Sequence, residues 1–257
     1  MRSTTRLTGF AKRTVARFQR EIGEACAEFH DKTVRGVRCK RVQVDEVWSF
    51  TYAKAKNIPE RLKGKQGIGD TWTWVGICPD TKLVIAWHVG QRDATDAYFF
   101  IHDLKERLAS RVQLTTDGLR AYLETVESAF GADVDFAQLV KLYGNEMLAT
   151  PEVRYSPPVC TGTRRKVICG APDPEHISTS ICERQNLTVR MSCRRFTRLT
   201  NGFSKKFENH VHAVALHFMH YNFARIHQTL RVTPAMEAGI ADHVWSLEEI
   251  AELLDRD

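Results

Sequence analysis

The chain has 257 residues, 43% of them apolar, and a formal net charge of +6, enough for one sizeable α/β domain with a real core and a small appendage. No run approaches the roughly 18 consecutive apolar residues of a membrane-spanning helix, which excludes one. The seven cysteines (Cys26, Cys39, Cys78, Cys160, Cys169, Cys182 and Cys193) are scattered without a Cys-x-x-Cys pair; this argues against a disulfide scaffold or structural zinc site and fits a reducing compartment.

The charge is unevenly placed. Residues 1–42 hold eleven Lys/Arg against four Asp/Glu, and residues 184–231 nine against one, so the centre is acidic. Two basic blocks around an acidic middle suggest polyanion-binding surfaces flanking a place that gathers cations. The six basic residues of the first twenty, with no acid among them, could also belong to a transit peptide, but a DNA-binding helix explains the same charge.

In chain order, residues 10–33 read as one long amphipathic helix, or two broken at Gly23. Val15, Phe18, Ile22, Cys26 and Phe29 recur at helical spacing, with Lys12, Arg13, Arg17 and Arg20 off that stripe. Strand signals follow at 41–50, 71–78 and 83–89, the last two joined by the turn Pro79-Asp80-Thr81-Lys82. A helix is expected at 93–109, a short strand at 112–116, a helix at 119–130 and a fifth strand at 134–140. Residues 141–176, with five prolines and Arg164-Arg165-Lys166, read as a long loop. Helical signals return at 178–195, 203–226 and 246–254. Three strands followed by alternating helices and strands predict a mixed five-stranded sheet with crossover helices packed on it. That order matches a ribonuclease-H-like core over 41–230, preceded by a helical segment (1–40) and followed by a helical tail (231–257).

Three acids stand out. Asp45 lies inside Arg-Val-Gln-Val-Asp-Glu-Val-Trp, where an unpaired carboxylate is unfavourable unless a cation compensates it or Asp45 and Glu46 are exposed edge-strand charges. Asp117 ends the fourth strand in Leu-Thr-Thr-Asp-Gly, where α/β sheets place ligands, although Asp-Gly is also ordinary turn chemistry. Glu183 follows Ser180 at capping-box spacing; it also shares a helical face with Asn186 and Arg190, at i, i+3 and i+7. In a ribonuclease-H-like sheet the three carboxylates would converge, and a pair of Mg²⁺ ions about 3.5–4 Å apart would relieve their repulsion and clamp a phosphodiester for in-line transfer. Oxygen-only ligands select Mg²⁺, with Mn²⁺ as substitute, over zinc.

From Asp45 onward the chain resembles the DDE transposases of the insertion-sequence-one family of bacterial mobile elements. The resemblance rests on Gln43-Val44-Asp45-Glu46-Val47-Trp48, Leu114-Thr115-Thr116-Asp117-Gly118, and His176-Ile177-Ser178-Thr179-Ser180 running into Glu183-Arg184-Gln185-Asn186. It continues in the stretch from Arg195-Phe196-Thr197-Arg198 to Phe203-Ser204-Lys205-Lys206, and in His220-Tyr221-Asn222-Phe223.

The resemblance implies a DDE triad at Asp45, Asp117 and Glu183 holding two Mg²⁺ ions, with Arg190 as the basic residue seven positions beyond Glu183. It implies cleavage at the ends of a mobile element and strand transfer of the freed 3′-OH into target DNA, by at least a dimer, in a bacterial cytoplasm at the nucleoid. Residues 8–33 resemble the end of the family's helix-turn-helix, with Arg17 in the recognition helix. The Cys-rich zinc-binding segment with which family members usually begin has no counterpart here. Phosphate contacts are expected from Lys12, Arg13, Arg17, Arg164, Arg165, Lys166, Asn186, Arg194, Arg195, Arg198, Lys205 and Lys206. His210, His217, His220 and His227 share part of a helical face but are read as neutral imidazoles rather than a transition-metal site. The tryptophans are read as packing residues. Competing readings are a ribonuclease-H-like nuclease or junction resolvase without strand transfer, and a non-catalytic DNA-binding regulator or decayed transposase.

Overall fold

The computed structural model describes residues 2–143, 160–197 and 200–255. Its centre is a six-stranded sheet in the order β3-β2-β1-β4-β5-β6. The strands are β1 (Arg41–Thr51), β2 (Gly69–Ile77), β3 (Val84–Gly90), β4 (Val112–Thr116), β5 (Val134–Tyr143) and β6 (Cys160–Cys169). The first three form an antiparallel meander, β4 and β5 run parallel to β1, and β6 returns antiparallel at the edge. Helices α1 (Arg2–Thr8) and α2 (Lys12–Thr33) precede the sheet; α3 (Ala94–Arg107) and α4 (Ala121–Phe130) are its crossovers. Helices α5 (Ser180–Ser192), α6 (Phe207–Met219), α7 (Pro234–Glu237) and α8 (Leu247–Ala251) follow it. The protein is therefore α/β, with a mixed sheet flanked by helices and ribonuclease-H-like in general character.

Two apolar clusters cover the faces of this sheet. Val42, Val44, Trp74, Leu114, Phe100, Leu104 and Tyr122 meet on the face carrying α3 and α4. Val47, Val75, Val84, Cys182, Val189 and Phe218 meet on the face carrying α5 and α6. Because successive side chains alternate, a central strand buried on both sides reads as a near-continuous apolar run, as β1 does apart from its polar positions.

The sixth strand corrects the expectation of five, and it lies in the stretch read as loop. Edge position explains the miss: most of β6 is exposed on both faces, so it carries no apolar alternation to reveal it. Arg164, Arg165 and Lys166 pair with Val140, Leu139 and Gln138 of β5, and such charges on an edge discourage addition of another strand. The opposite edge is guarded differently. Asn222, in the π-helical turn His220–Ala224, accepts from Val84 N (3.0 Å) and donates to Val84 O (2.9 Å), standing in for a neighbouring strand.

Helix α2 is continuous through Gly23. A Cβ there would lie 2.4 Å from the backbone oxygen of His212, so the glycine permits close approach of α2 to α6 rather than a break. Ile22 and Cys26 thus join Ala215, Met219, Ile250 and Leu253 in one cluster.

Candidate metal centre

The parallel ladder between β1 and β4 pairs Gln43 with Thr115 as its last register. Asp45 and Asp117, each two residues further on, therefore stand level, Asp45 midway along β1 and Asp117 just past the end of β4. This is also where the connections diverge, β2 and β3 to one side, β4 and β5 to the other, which is the usual place for a ligand crevice.

Asp45 faces α5, and the chain fixes that helix by an unusual cap. Gln43, on the same face, accepts at Oε1 from Ile181 N (2.9 Å) and Cys182 N (3.2 Å), taking the place of a side-chain N-cap. With α5 pinned there, Asn186 reaches Asp45: its Nδ2 donates to Asp45 Oδ2 at 2.9 Å. Asn186 Oδ1 is buried and has no hydrogen-bond partner among the described residues. A buried amide oxygen left unpaired is costly unless a ligand completes it.

Glu46, one residue on, points to the other face with its side chain 1% exposed. Tyr122 of α4 donates its hydroxyl to Oε1. Arg92, between β3 and α3, donates from Nε to Glu46 Oε2 (3.1 Å) and from Nη2 to Asp117 Oδ2 (3.2 Å). Its guanidinium lies 5.0 Å from the Trp72 ring centroid. Asp117 in turn accepts at Oδ1 from Leu119 N (2.9 Å), so the turn chemistry suggested by Asp-Gly coexists with a place in the cluster.

Asp45, Glu46 and Asp117 offer carboxylate oxygens all within 4.8 Å of one another, the one such group of His, Cys, Asp and Glu among the described residues. Burial first, then the charge of Asp117, pushes the Asp45 carboxyl up to about 7. Burial and Asp117 likewise push Glu46 up to about 7, although Tyr122 and Arg92 pull the other way. One arginine thus fails to neutralise the cluster. An all-oxygen donor set with surplus negative charge and an orphaned amide oxygen beside it could hold a hard divalent cation. The edge-strand reading of the Asp45–Glu46 pair is overturned, because β1 is the third strand of six.

Glu183 stands nearby but outside that group. It accepts from the Thr179 hydroxyl at 2.5 Å and pairs with Lys141 Nζ of β5 at 2.7 Å. Its charge still contributes to raising Asp45. Arg190, half-buried, lies on the same α5 face one turn past Asn186.

The cations divide. Arg13, Arg17, Arg20 and Lys206 line a recess of about 560 Å³ between α2 and the start of α6. A neighbouring recess takes in Lys12, Arg194, Lys205 and Lys206. Arg164, Arg165 and Lys166 are exposed on β6. Arg195 is committed internally: its guanidinium donates to Ser204 Oγ (2.8 Å) and Gln19 Oε1 (3.0 Å), tying α2 to the segment before α6, and burial lowers its pKa. Arg198 lies outside the described residues. Of the four histidines, His210 is fully buried between Ser49 and Ser204, and burial lowers His210 and His217 to about 4, so both are neutral near pH 7.

Sequence reasoning passed over Arg92, Tyr122, Lys141 and the capping role of Gln43. Each acts across the fold, and none sits in a local pattern. No family model matches the chain, and no curated protein matches it.

Proposed function

We propose that the chain is a DNA transposase that cuts phosphodiesters at the ends of a mobile element and joins the freed 3′-OH to target DNA, using two Mg²⁺ ions. The observation that carries this reading is the meeting of Asp45, Glu46 and Asp117 within 4.8 Å, beside an α5 face that bears Asn186, Glu183 and Arg190. Two such cations, held by these carboxylates, would activate a nucleophilic water or 3′-OH and offset charge on the leaving oxygen.

In this reading Asp45 and Asp117 bind the metal. Glu183 is the third ligand, which requires Lys141 to release it. Glu46 serves chiefly to hold Arg92, because both its oxygens already accept from Tyr122 and Arg92. Arg92 balances Asp117; with a cation taking over that role it would stay held by Glu46 and could offer Nη2 to a phosphate oxygen. Asn186 keeps Asp45 oriented, and Arg190 meets the DNA backbone. The recess lined by Arg13, Arg17, Arg20 and Lys206 holds further phosphates of duplex DNA, and bringing two element ends together calls for at least two copies of the chain.

The test uses supercoiled plasmid and a labelled duplex with a pre-cut 3′-OH end. Wild-type protein is expected to nick in Mg²⁺, not in EDTA, and to join the labelled end to plasmid. Asp117→Asn is expected to keep DNA affinity and lose cleavage by about 10³-fold, since several kcal/mol of transition-state stabilisation depend on the metals. Cleavage without joining would reduce the reading to a nuclease. No Mg²⁺-dependent cleavage by the wild type would leave a DNA-binding protein.

A further inference from the structure

Beyond the carboxylates, the β1–β2 ribbon carries a second feature that the proposed chemistry does not use. Trp48 and Phe50 project on the same face of β1 as Glu46, and Trp48 pairs in register with Trp72. On this face Trp74 and Tyr122 are fully buried, but Trp48, Phe50 and Trp72 are only half-buried. Phe203, in the segment before α6, extends the row. Its ring centroid lies 4.7 Å from that of Phe50, which lies 5.8 Å from that of Trp48, with interplanar angles of 35° and 37°.

Each end and the middle of this row carry a cation. Arg92 sits 5.0 Å from the Trp72 centroid, Lys54 Nζ 5.6 Å from Trp48 and 5.9 Å from Phe50, and Lys205 Nζ 3.9 Å from Phe203. Asp70, across the ladder from Phe50, is engaged by Ala55 N at 2.9 Å. Half-exposed rings in series with ammonium groups above them could simply be surface packing, each lysine shielding an aromatic ring. Two facts point further. The row begins at Arg92, which also contacts Asp117, and it ends at Lys205, beside the basic recesses. It therefore runs from the candidate metal centre to the basic recesses, with Trp72 and Trp48 facing each other across the β1–β2 ladder.

We infer that Trp72, Trp48, Phe50 and Phe203 form a stacking track for unpaired bases of single-stranded DNA, with Arg92, Lys54 and Lys205 taking the adjoining phosphates. Aromatic faces interleaved with cations bind single strands because every base has a π-face and every nucleotide a negative charge. A duplex hides those faces inside its own stack, so it gains only from the cations. The inference rests on the nucleic-acid part of the proposed function and adds the strand state of the ligand. A row leading away from the metal centre suits a strand frayed next to the scissile phosphate.

The experiment measures binding of the full chain to a labelled 15-nucleotide oligothymidylate and to a duplex of equal length, in EDTA, by fluorescence anisotropy. Phe203→Ala and Trp48→Ala are each expected to weaken oligothymidylate binding about ten-fold while duplex binding changes less than two-fold. Trp48→Phe is expected to recover most of the loss. Thermal melting identifies any variant that fails to fold, and Lys54→Gln with Lys205→Gln, both at the surface, give an independent reading: each is expected to lower the salt slope by about one-half to one.

Oligothymidylate affinity equal in wild type and Phe203→Ala, or an equal loss on the duplex, overturns the track. Mg²⁺-dependent cleavage together with that result would remove the track and leave the transposase standing. Ring-dependent oligothymidylate binding without cleavage would do the reverse.

Discussion

Two clusters of charge in this molecule behave in opposite ways. At the junction of α2 and α3, Arg107, with its side chain 6% exposed, donates to Asp103 Oδ2 and Asp31 Oδ1, pairs also with Asp103 Oδ1, and donates to the backbone oxygens of Val34 and His30. Arg35 joins from the rim through Asp31 and Glu106. Although burial works against Asp31, Arg107 and Arg35 outweigh it and hold its carboxyl below the ordinary value. At the candidate metal centre the carboxylates outnumber their arginine, and burial first, then the charge of Asp117, pushes Asp45 and Glu46 up. A charge cluster that satisfies itself holds elements together; one left in deficit is a place for something else to bind.

That contrast can be broken by mutation. Arg107→Ala removes the donor to Asp103 and to the Val34 carbonyl and leaves Asp31 with Arg35 alone, so a loss of about 3 kcal/mol is expected. In a chain of this size that lowers Tm by roughly 6–10 °C. The loss should be the same in Mg²⁺ and in EDTA, as read by calorimetric melting. A metal-dependent loss would mean that the two clusters are not separate.

At the metal centre the sign reverses. Asp45 has a folded-state pKa of about 7, above the roughly 3.9 of an unfolded aspartate. Its contribution to stability is therefore fully present below about pH 4 and is lost as pH rises through about 7. Asp45→Asn removes the charge, so in EDTA at pH 8 it is expected to stabilise the chain by about 1–2 kcal/mol and raise Tm by roughly 3–6 °C, with no gain at pH 4. Melting curves at the two pH values check this, and a loss of stability at pH 8 would show that Asp45 is already compensated.

How much of this was legible in the sequence follows from which forces act locally. Strands β1 to β4 were recoverable because their Val-rich runs are bounded by turns, and β4 falls at 112–116 in both readings. Strand β6 was not, because an edge strand exposed on both faces has no apolar period. Helix α1, with none of its residues buried, was not set apart within the helical segment expected over 1–40. Gly23 was ambiguous because a close helix approach and a helix break both favour glycine. At the candidate site, Asp45 stood out as an acid inside a strand, where Asp is disfavoured, and Asp117 as an acid at a strand's end, where α/β sheets place ligands. Glu46 was noticed only as the neighbour of Asp45, and Arg92 and Tyr122 carry no local signal. Their relation to Glu46 exists only once the β3–α3 connection and α4 are folded over β1. Arg195 was read by its charge alone, and only the fold turns it inward.

The central claim is that the carboxylates standing level midway along β1 and just past β4 bind a hard divalent cation. Isothermal titration of Mn²⁺ into the wild type, Asp45→Asn and Asp117→Asn at pH 7.5 tests it most directly. Saturable binding by the wild type is expected, falling at least ten-fold in each variant, with a matching rise in wild-type Tm that both variants lack. Equal Mn²⁺ binding in all three proteins, or none in the wild type, would contradict it.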